Sequence, residues 1–498
     1  MREDNLYYIS TRSAEKKFIS ASAIVKGIAD DGGLFVPETI PLLNMNLNKL
    51  KNFDYKELAF FVMKDFFNDY HEQELKYCIN QAYDDKFDTP LIAPIFSKMG
   101  AYFLELYHGP TLAFKDMALS ILPHLLIKAV QKLNLKQEIV ILTATSGDTG
   151  KAALEGFVGV QGTKIIVFFP QKGVSEIQKR QMLTQEGENV NVIAIKGNFD
   201  DVQRGVKKIF EDSDFNKRMN EKNYLFSSAN SINIGRLIPQ IVYYFYAYLQ
   251  LYKAGEIKNN EKINIVVPTG NFGNILAAYT AKEMGLPINK LICASNENKV
   301  LTDFFNTGIY DRRRELVATI SPSMDILISS NLERLLWIIN DKENKMVKTL
   351  MNSLNEKGYY KINSEAKKKL HCFYGEFASQ DESRQRIKEV FEESKYLLDP
   401  HTAVGYAVYK KYINETRDRT KTVIAATASP FKFTKSVMES LDNRYKEFND
   451  FELVDKMSDL AQIPIPPTIR NIEKKSIRHK MIWGKEEIGV RLAEILNL

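Results

Sequence analysis

From residue 138 onward, short runs of β-branched and apolar residues alternate with stretches of helical periodicity. That alternation is the pattern of a parallel sheet covered by helices on both faces. Strands are expected at 138–143 (EIVILT), 164–169 (KIIVFF), 191–195 (NVIAI), 262–267 (KINIVV), 290–294 (KLICA) and 422–426 (TVIAA). Their near-continuous apolar character fits burial on both faces. Helices are expected over 151–158, 175–185, 200–211, 234–252 and 275–284, each after a turn rich in Gly, Ser, Asp or Asn. The aromatic run Tyr243-Tyr244-Phe245-Tyr246 lies on a helix apolar around its circumference, which reads as core packing rather than a ligand cage.

The chain of 498 residues is long enough for several domains. Residues 1–90 have a different, largely helical texture and read as an N-terminal domain. The α/β region follows over 91–330, interrupted by a charged, weakly periodic stretch at 331–395 that reads as a helical insertion. Residues 396–440 return to the α/β region, and 441–498, with the run Ile463-Pro464-Ile465-Pro466-Pro467, read as an extended tail packed on the surface.

A net charge of +6 raises the question of nucleic acid, but Lys and Arg are interleaved with acids along most of the chain. Arg312-Arg313-Arg314 is flanked by Asp311 and Glu315, which reads as a solvated face and not a phosphate track. The chain opens Met1-Arg2-Glu3-Asp4 without an apolar leader, and nowhere do eighteen apolar residues run without a charge. A cytoplasmic protein with no membrane or nucleic-acid partner is expected. Cys78, Cys293 and Cys372 show neither a CxxC pair nor zinc spacing with His, so inert thiols and no metal site are expected.

Three segments carry chemistry. In His108-Gly109-Pro110-Thr111-Leu112-Ala113-Phe114-Lys115-Asp116, a turn leads into a helix, and apolar neighbours could desolvate Lys115 enough to favour its neutral, nucleophilic form. On these residues alone, an ordinary interior or surface lysine is the better fit. Thr143-Ala144-Thr145-Ser146-Gly147-Asp148-Thr149-Gly150 joins a strand to a helix, so its backbone N–H groups and hydroxyls would face an anion. Only two residues separate its glycines and Ala152 follows Lys151, which excludes a nucleoside-triphosphate P-loop. Pro268-Thr269-Gly270-Asn271-Phe272-Gly273-Asn274 repeats the strand-to-helix arrangement, with two glycines that let a ligand approach the backbone. Each turn alone is a weak signal; the three in this order are not.

Together with Gly27 to Pro37 (GIADDGGLFVP), the LYHGPTLAFKD run and the Ser228 to Arg236 run (SANSINIGR), these segments resemble the pyridoxal 5'-phosphate (PLP) enzymes of the tryptophan synthase β-subunit fold, fold type II, and within them the threonine synthases. The resemblance implies two α/β domains with a parallel-sheet core, beside the N-terminal domain and the insertion. It makes Lys115 the catalytic lysine that carries PLP, places Gly270, Asn271, Phe272, Gly273 and Asn274 around the cofactor phosphate, and sets Thr427 against the pyridine nitrogen. Thr145, Ser146, Gly147, Asp148 and Thr149 would hold a substrate carboxylate, with the Asp148 side chain turned away or held by backbone N–H groups, since an inward unpaired carboxylate would repel the substrate.

The family substrate is O-phospho-L-homoserine, which requires a second phosphate site. Ser228, Asn230, Ser231, Asn233 and Arg236 are the candidates, Arg because its planar fork suits phosphate. The same cluster could instead be a helix N-cap before Ile234. One departure stands out: the family's His-Pro-Ala-Lys-Phe is here Ser429-Pro430-Phe431-Lys432-Phe433. Lys432 remains a candidate phosphate contact, and Phe431 raises the alternative that water is kept from Cβ, giving phosphate, ammonia and 2-oxobutanoate instead of threonine. The expected enzyme is a monomer or homodimer that eliminates phosphate from Cγ and adds water at Cβ, with no base evident besides Lys115 and the departing phosphate.

Overall fold

The two-sided burial of the apolar runs is realised in two separate sheets in a computed structural model that describes residues 6–43, 46–171 and 173–498. The opening Met1-Arg2-Glu3-Asp4 lies outside these residues. Strands β1 (Tyr8–Ser10), β2 (Ser13–Phe18) and β3 (Phe35–Pro37) make a small antiparallel sheet. It is followed by helices Tyr55–Met63, started by an Asp54/Glu57 capping box, and Glu72–Ala82. Then come β4 (Ile95–Lys98) and β5 (Ala101–Glu105).

A contiguous stretch supplies β6 (Glu138–Ala144), β7 (Thr163–Pro170), β8 (Val190–Lys196) and β9 (Tyr224–Ser227). Next are β10 (Ile263–Pro268), β11 (Ile288–Ser295), the two-stranded ribbon β12 (Ile309–Asp311) with β13 (Tyr359–Lys361), β14 (Phe373–Phe377), β15 (Thr422–Ala426) and β16 (Met481–Gly484). The larger sheet has the order β14-β11-β10-β15-β5-β4, parallel except at β4, and the smaller, wholly parallel sheet has the order β16-β8-β7-β6-β9.

Two expectations are corrected. Residues 331–395 contain helices, but β14 lies among them and forms an edge of the larger sheet. The tail is not simply extended: helices Asp450–Ala461 and Ile488–Leu496 form in it, and β16 extends the smaller sheet. Arg313 and Arg314 pair with Asp311 and Asp303, as a solvated face would. The three cysteines are buried and unpaired, and burial pushes the thiols of Cys78 and Cys293 up to about 12, so they are inert near neutrality. No described helix is long and apolar enough to cross a membrane.

Helix Ile234–Lys253 is buried on nearly every side, which its aromatic run anticipated. Pro239 has no N–H to give to the Gly235 carbonyl, and one residue on the side-chain Nε2 of Gln240 donates to Arg236 O at 2.7 Å.

Candidate active site

Residues that follow β6, β10 and β15 line one cleft of about 1360 Å³, part of it open to solvent. Ligands of open α/β sheets collect at the carboxyl ends of strands for this reason: the turns there lead into helix N-termini.

Lys115 reaches the cleft from a turn fastened to the far end of the chain. Leu112 adopts φ +61°, Phe114 N–H donates to Thr427 O at 2.8 Å, and Ser429 N–H donates to Leu112 O at 3.0 Å. The turn is closed by Asp116, which accepts from Thr111 N–H at 2.8 Å and from the Thr111 hydroxyl at 2.5 Å. The ammonium lies 4.7 Å from the centre of the Phe114 ring and 3.4 Å from Asp148 Oδ2. Burial lowers the pKa of this amine, Asp148 opposes, Lys432 and Arg236 reinforce, and the net result lies below the ordinary lysine value.

Asp148 faces the cleft, against the expectation that it turns away or is held by backbone N–H groups. Side chains hold it: its Oδ1 lies 2.7 Å from Lys432 Nζ and accepts from Gln178 Nε2 at 2.7 Å, while Oδ2 accepts from the Ser323 hydroxyl at 3.1 Å. Burial alone would raise the carboxyl pKa, but Lys432 and Lys115 outweigh it and hold Asp148 well below the usual range. Gly147 is required beside it. Its φ is +140°, and a Cβ there would meet the Gln178 amide at 2.8 Å. Thr145 braces the turn by accepting from Gly147 N–H and Gly150 N–H at 2.9 and 2.8 Å, and Ser146 and Thr149 line the cleft beside it.

Lys432 is therefore corrected as a phosphate contact. It is fully buried, does not line the cleft, and spends its donors on Asp148 and on Thr111 O at 2.7 Å. Phe431 is also packed away from the cleft, so the departure from the family's pattern puts no aromatic ring in the path of water.

The turn Pro268–Asn274 is built for an anion. Gly270 admits no side chain, because a Cβ would sit 2.6 Å from Ser323 O, and Phe272 takes the left-handed φ of +63° to start helix Gly273–Glu283. Asn331 clamps the turn from outside, donating to Asn271 O from its backbone and its side chain at 3.1 and 2.9 Å. Asn274 Oδ1 accepts from both the Tyr243 and Tyr244 hydroxyls, which fixes its amide nitrogen; that Nδ2 is buried with no protein partner. A phosphate group fits this cradle, which offers an unspent donor, a helix N-terminus and no side chain at Gly270 or Gly273. Thr427, with its N–H on Thr402 Oγ1 at 3.2 Å, lines the same cleft near Lys115.

Of the five candidates for a second phosphate, Asn230, Ser231 and Arg236 line the cleft. Arg236 is buried, gives Nη1 to Ala229 O at 2.9 Å, and leaves Nε with no partner. Burial brings its pKa down to about 10, so it remains a cation near neutrality. Asn233 and Ser228 are corrected: Asn233 caps helix Ile234–Lys253 and donates to Ile24 O and Ser228 O, and Ser228 Oγ accepts from Asn230 N–H. These two are cap and turn residues and do not line the cleft.

Sequence reasoning missed His401 and Ser323, which also line the cleft. His401 lies 2.8 Å from Asp399 through Nδ1 and accepts Ser323 N–H at Nε2, so its proton sits on Nδ1. The signal was present in Asp399-Pro400-His401-Thr402: an Asp N-cap and a Pro at the first helical position place His401 in the first turn of helix Pro400–Thr416.

Residues 7–83 match the family described as threonine synthase N terminus, 84–428 the pyridoxal-phosphate dependent enzymes, and 402–478 the threonine synthase C-terminal family. Threonine synthase of Saccharomyces cerevisiae is 38% identical over 464 residues, covering 87% of this chain and 89% of that protein. Human threonine synthase-like 1 is 40% identical over 90% of this chain, which spans only 62% of that relative's length. The PLP-bound threonine synthase of Brucella melitensis superposes with a TM-score of 0.85 at 32% identity, covering 99% of this chain and 98% of that one. With the cradle for a phosphate, the buried lysine and these likenesses along almost its whole length, the chain belongs to the threonine synthase family of fold type II, PLP-dependent enzymes.

Proposed function

We propose that the protein converts O-phospho-L-homoserine and water to L-threonine and phosphate. The observation that carries this reading is Arg236. The Pro268–Asn274 turn accounts for one phosphate, the cofactor's, and Arg236 adds to the same cleft a buried cation with an unspent Nε–H that no carboxylate occupies. A substrate that brings its own phosphate uses that cation.

Bound PLP supplies an electron sink for the carbon next to the substrate's amino group. The remaining work falls to this chain. Gly270 to Asn274 hold the cofactor phosphate, and the Thr427 hydroxyl serves the ring nitrogen. Thr145 to Thr149 hold the substrate carboxylate with backbone donors, a role the inward Asp148 permits because Lys432 neutralises it. Lys115 takes a proton from Cα and then one from Cβ, whose electron pair expels phosphate from Cγ toward Arg236, Asn230 and Ser231, and it returns a proton at Cγ. The leaving phosphate is the base for water at Cβ: His401 lines the cleft, but both its ring nitrogens are engaged by Asp399 and Ser323. The same reading makes it a cytoplasmic enzyme acting on a small molecule as a monomer or homodimer.

Incubation of the PLP-loaded protein with O-phospho-L-homoserine, with phosphate and amino acid measured together, tests the proposal. Equal amounts of phosphate and threonine are expected. Phosphate accompanied by 2-oxobutanoate and ammonia, or no phosphate, overturns it.

A further inference from the structure

The cleft holds one carboxylate set between two lysines, an arrangement that bears on the proton of Lys115 as well as on the substrate carboxylate. Asp148 Oδ2 lies 3.4 Å from Lys115 Nζ, and Asp148 Oδ1 lies 2.7 Å from Lys432 Nζ. The carboxylate and Lys432 have almost no solvent contact, and Gln178 and Ser323 occupy the remaining acceptor directions of Asp148. The Lys432 ammonium also donates to Thr111 O, in the turn that carries Lys115.

We propose that Lys432 is a positioning residue whose charge satisfies Asp148, so that Lys115 can lose its proton without leaving a buried carboxylate unpaired. A buried carboxylate with one cationic partner holds that partner charged, because neutralising it strands the anion. With two cationic partners the balance is different: when both lysines are charged the trio carries a net positive charge, and when Lys115 is neutral it carries none. The shorter contact belongs to Lys432, so the lysine that stays charged is the one that does not line the cleft. The other groups around Lys115 act in the same sense or are already engaged. Arg236, on helix Ile234–Lys253, adds positive charge that disfavours the ammonium. His401, on helix Pro400–Thr416, is bonded to Asp399 and Ser323. Asp116, the next residue in the chain, is bonded to Thr111, and burial raises its carboxyl to about 6.

The inference rests on Lys115 as the lysine that carries PLP, and not on which substrate is used. It also gives the turn Pro430–Lys432 a task other than phosphate binding.

The test follows the visible absorption of the PLP-loaded protein against pH without substrate, where the midpoint reports protonation at the Lys115 nitrogen. Lys432→Met is expected to move that midpoint up by about one pH unit, a roughly tenfold gain in proton affinity. Asp148→Asn is expected to move it down by about as much, and the double variant, which buries no unpaired charge, to restore it to near the wild-type value. Lys432→Arg, which keeps the charge, leaves it within about 0.3 of a unit. A purely structural role for Lys432 moves stability but not the midpoint in opposite directions. If Lys432→Met does not fold, Asp148→Asn and the double variant decide alone. A midpoint unchanged in Asp148→Asn, or moved up by it, overturns the proposal, whatever the product assay with O-phospho-L-homoserine gives.

Discussion

In the proposed reaction, Arg236 is the residue on which substrate choice turns. Its guanidinium is buried against the cleft wall, and its partner on the protein side is a carbonyl rather than a carboxylate. Such a group gains most from a ligand that brings a negative charge, and a phosphate offers two oxygens to its fork. Arg236→Met removes a charge-assisted contact of about 1.5–3 kcal/mol, so kcat/KM for the phosphorylated substrate falls by about 10- to 100-fold. The visible band of bound PLP remains. Steady-state kinetics beside an absorption spectrum check both halves of this expectation. Loss of the band together with activity would instead assign Arg236 to the cofactor.

At the scale of elements, the turn proposed to hold the cofactor phosphate depends on a helix it does not belong to. Tyr243 and Tyr244, on helix Ile234–Lys253, both donate to Asn274 Oδ1 at the start of helix Gly273–Glu283. Asn274→Ala removes the waiting Nδ2 donor and leaves two buried hydroxyls without their acceptor. PLP is then expected to bind about 5- to 30-fold more weakly, as read by titration of the cofactor into stripped protein. How much of this was legible depends on how local each feature is. The runs at 138–143, 262–267 and 422–426 are mostly apolar and coincide to within a residue with β6, β10 and β15. The turns after them were readable because strand, turn and helix are consecutive in the chain. β14 was hidden because Gly375 breaks its apolar run; that glycine is needed where a Cβ would meet the Phe305 side chain at 2.9 Å. Asn233 was misassigned because a helix cap and a phosphate ligand call for the same residue types. Lys432 and His401 find their roles only through partners brought close by the fold, Asp148 and Ser323.

Across the whole molecule, the segment before β4 is tied to the head of the Lys115 turn by charge. His108, at the head of the Lys115 turn, lies 2.6 Å from Asp88 and 2.8 Å from Glu105. Burial lowers the pKa of its ring, but the two carboxylates outweigh this and raise it from 6.5 to about 9. A raised folded-state pKa means that the imidazolium's contribution to stability is complete below 6.5 and is lost as pH rises through 9. Thermal midpoints of the wild type and His108→Gln should therefore differ most at pH values below 6.5 and converge above 9. A constant gap across that window would mean that the ring acts by packing alone. Further along the same boundary, Arg334 donates to Phe35 O, Asn331 and Ile232 O, and Glu333 holds Arg12 through two bonds. Asn331 is the clamp on the cofactor turn, so the N-terminal strands and the phosphate cradle share one set of supports.

The order of strands in the larger sheet also sets a timetable for synthesis. β6 to β9 leave the ribosome as one continuous stretch and can pair with one another at once. β5 emerges before them, yet its parallel neighbour is β15, with Leu104 beside Ala425. Pairings of such wide sequence separation form late, because a long loop must close before any contact rewards it. The Lys115 turn, which bonds to Thr427 and Ser429, waits for the same event. A nascent chain that has not yet delivered β15 therefore carries its lysine on an unanchored turn, and cofactor capture is confined to the final stage of the protein's birth.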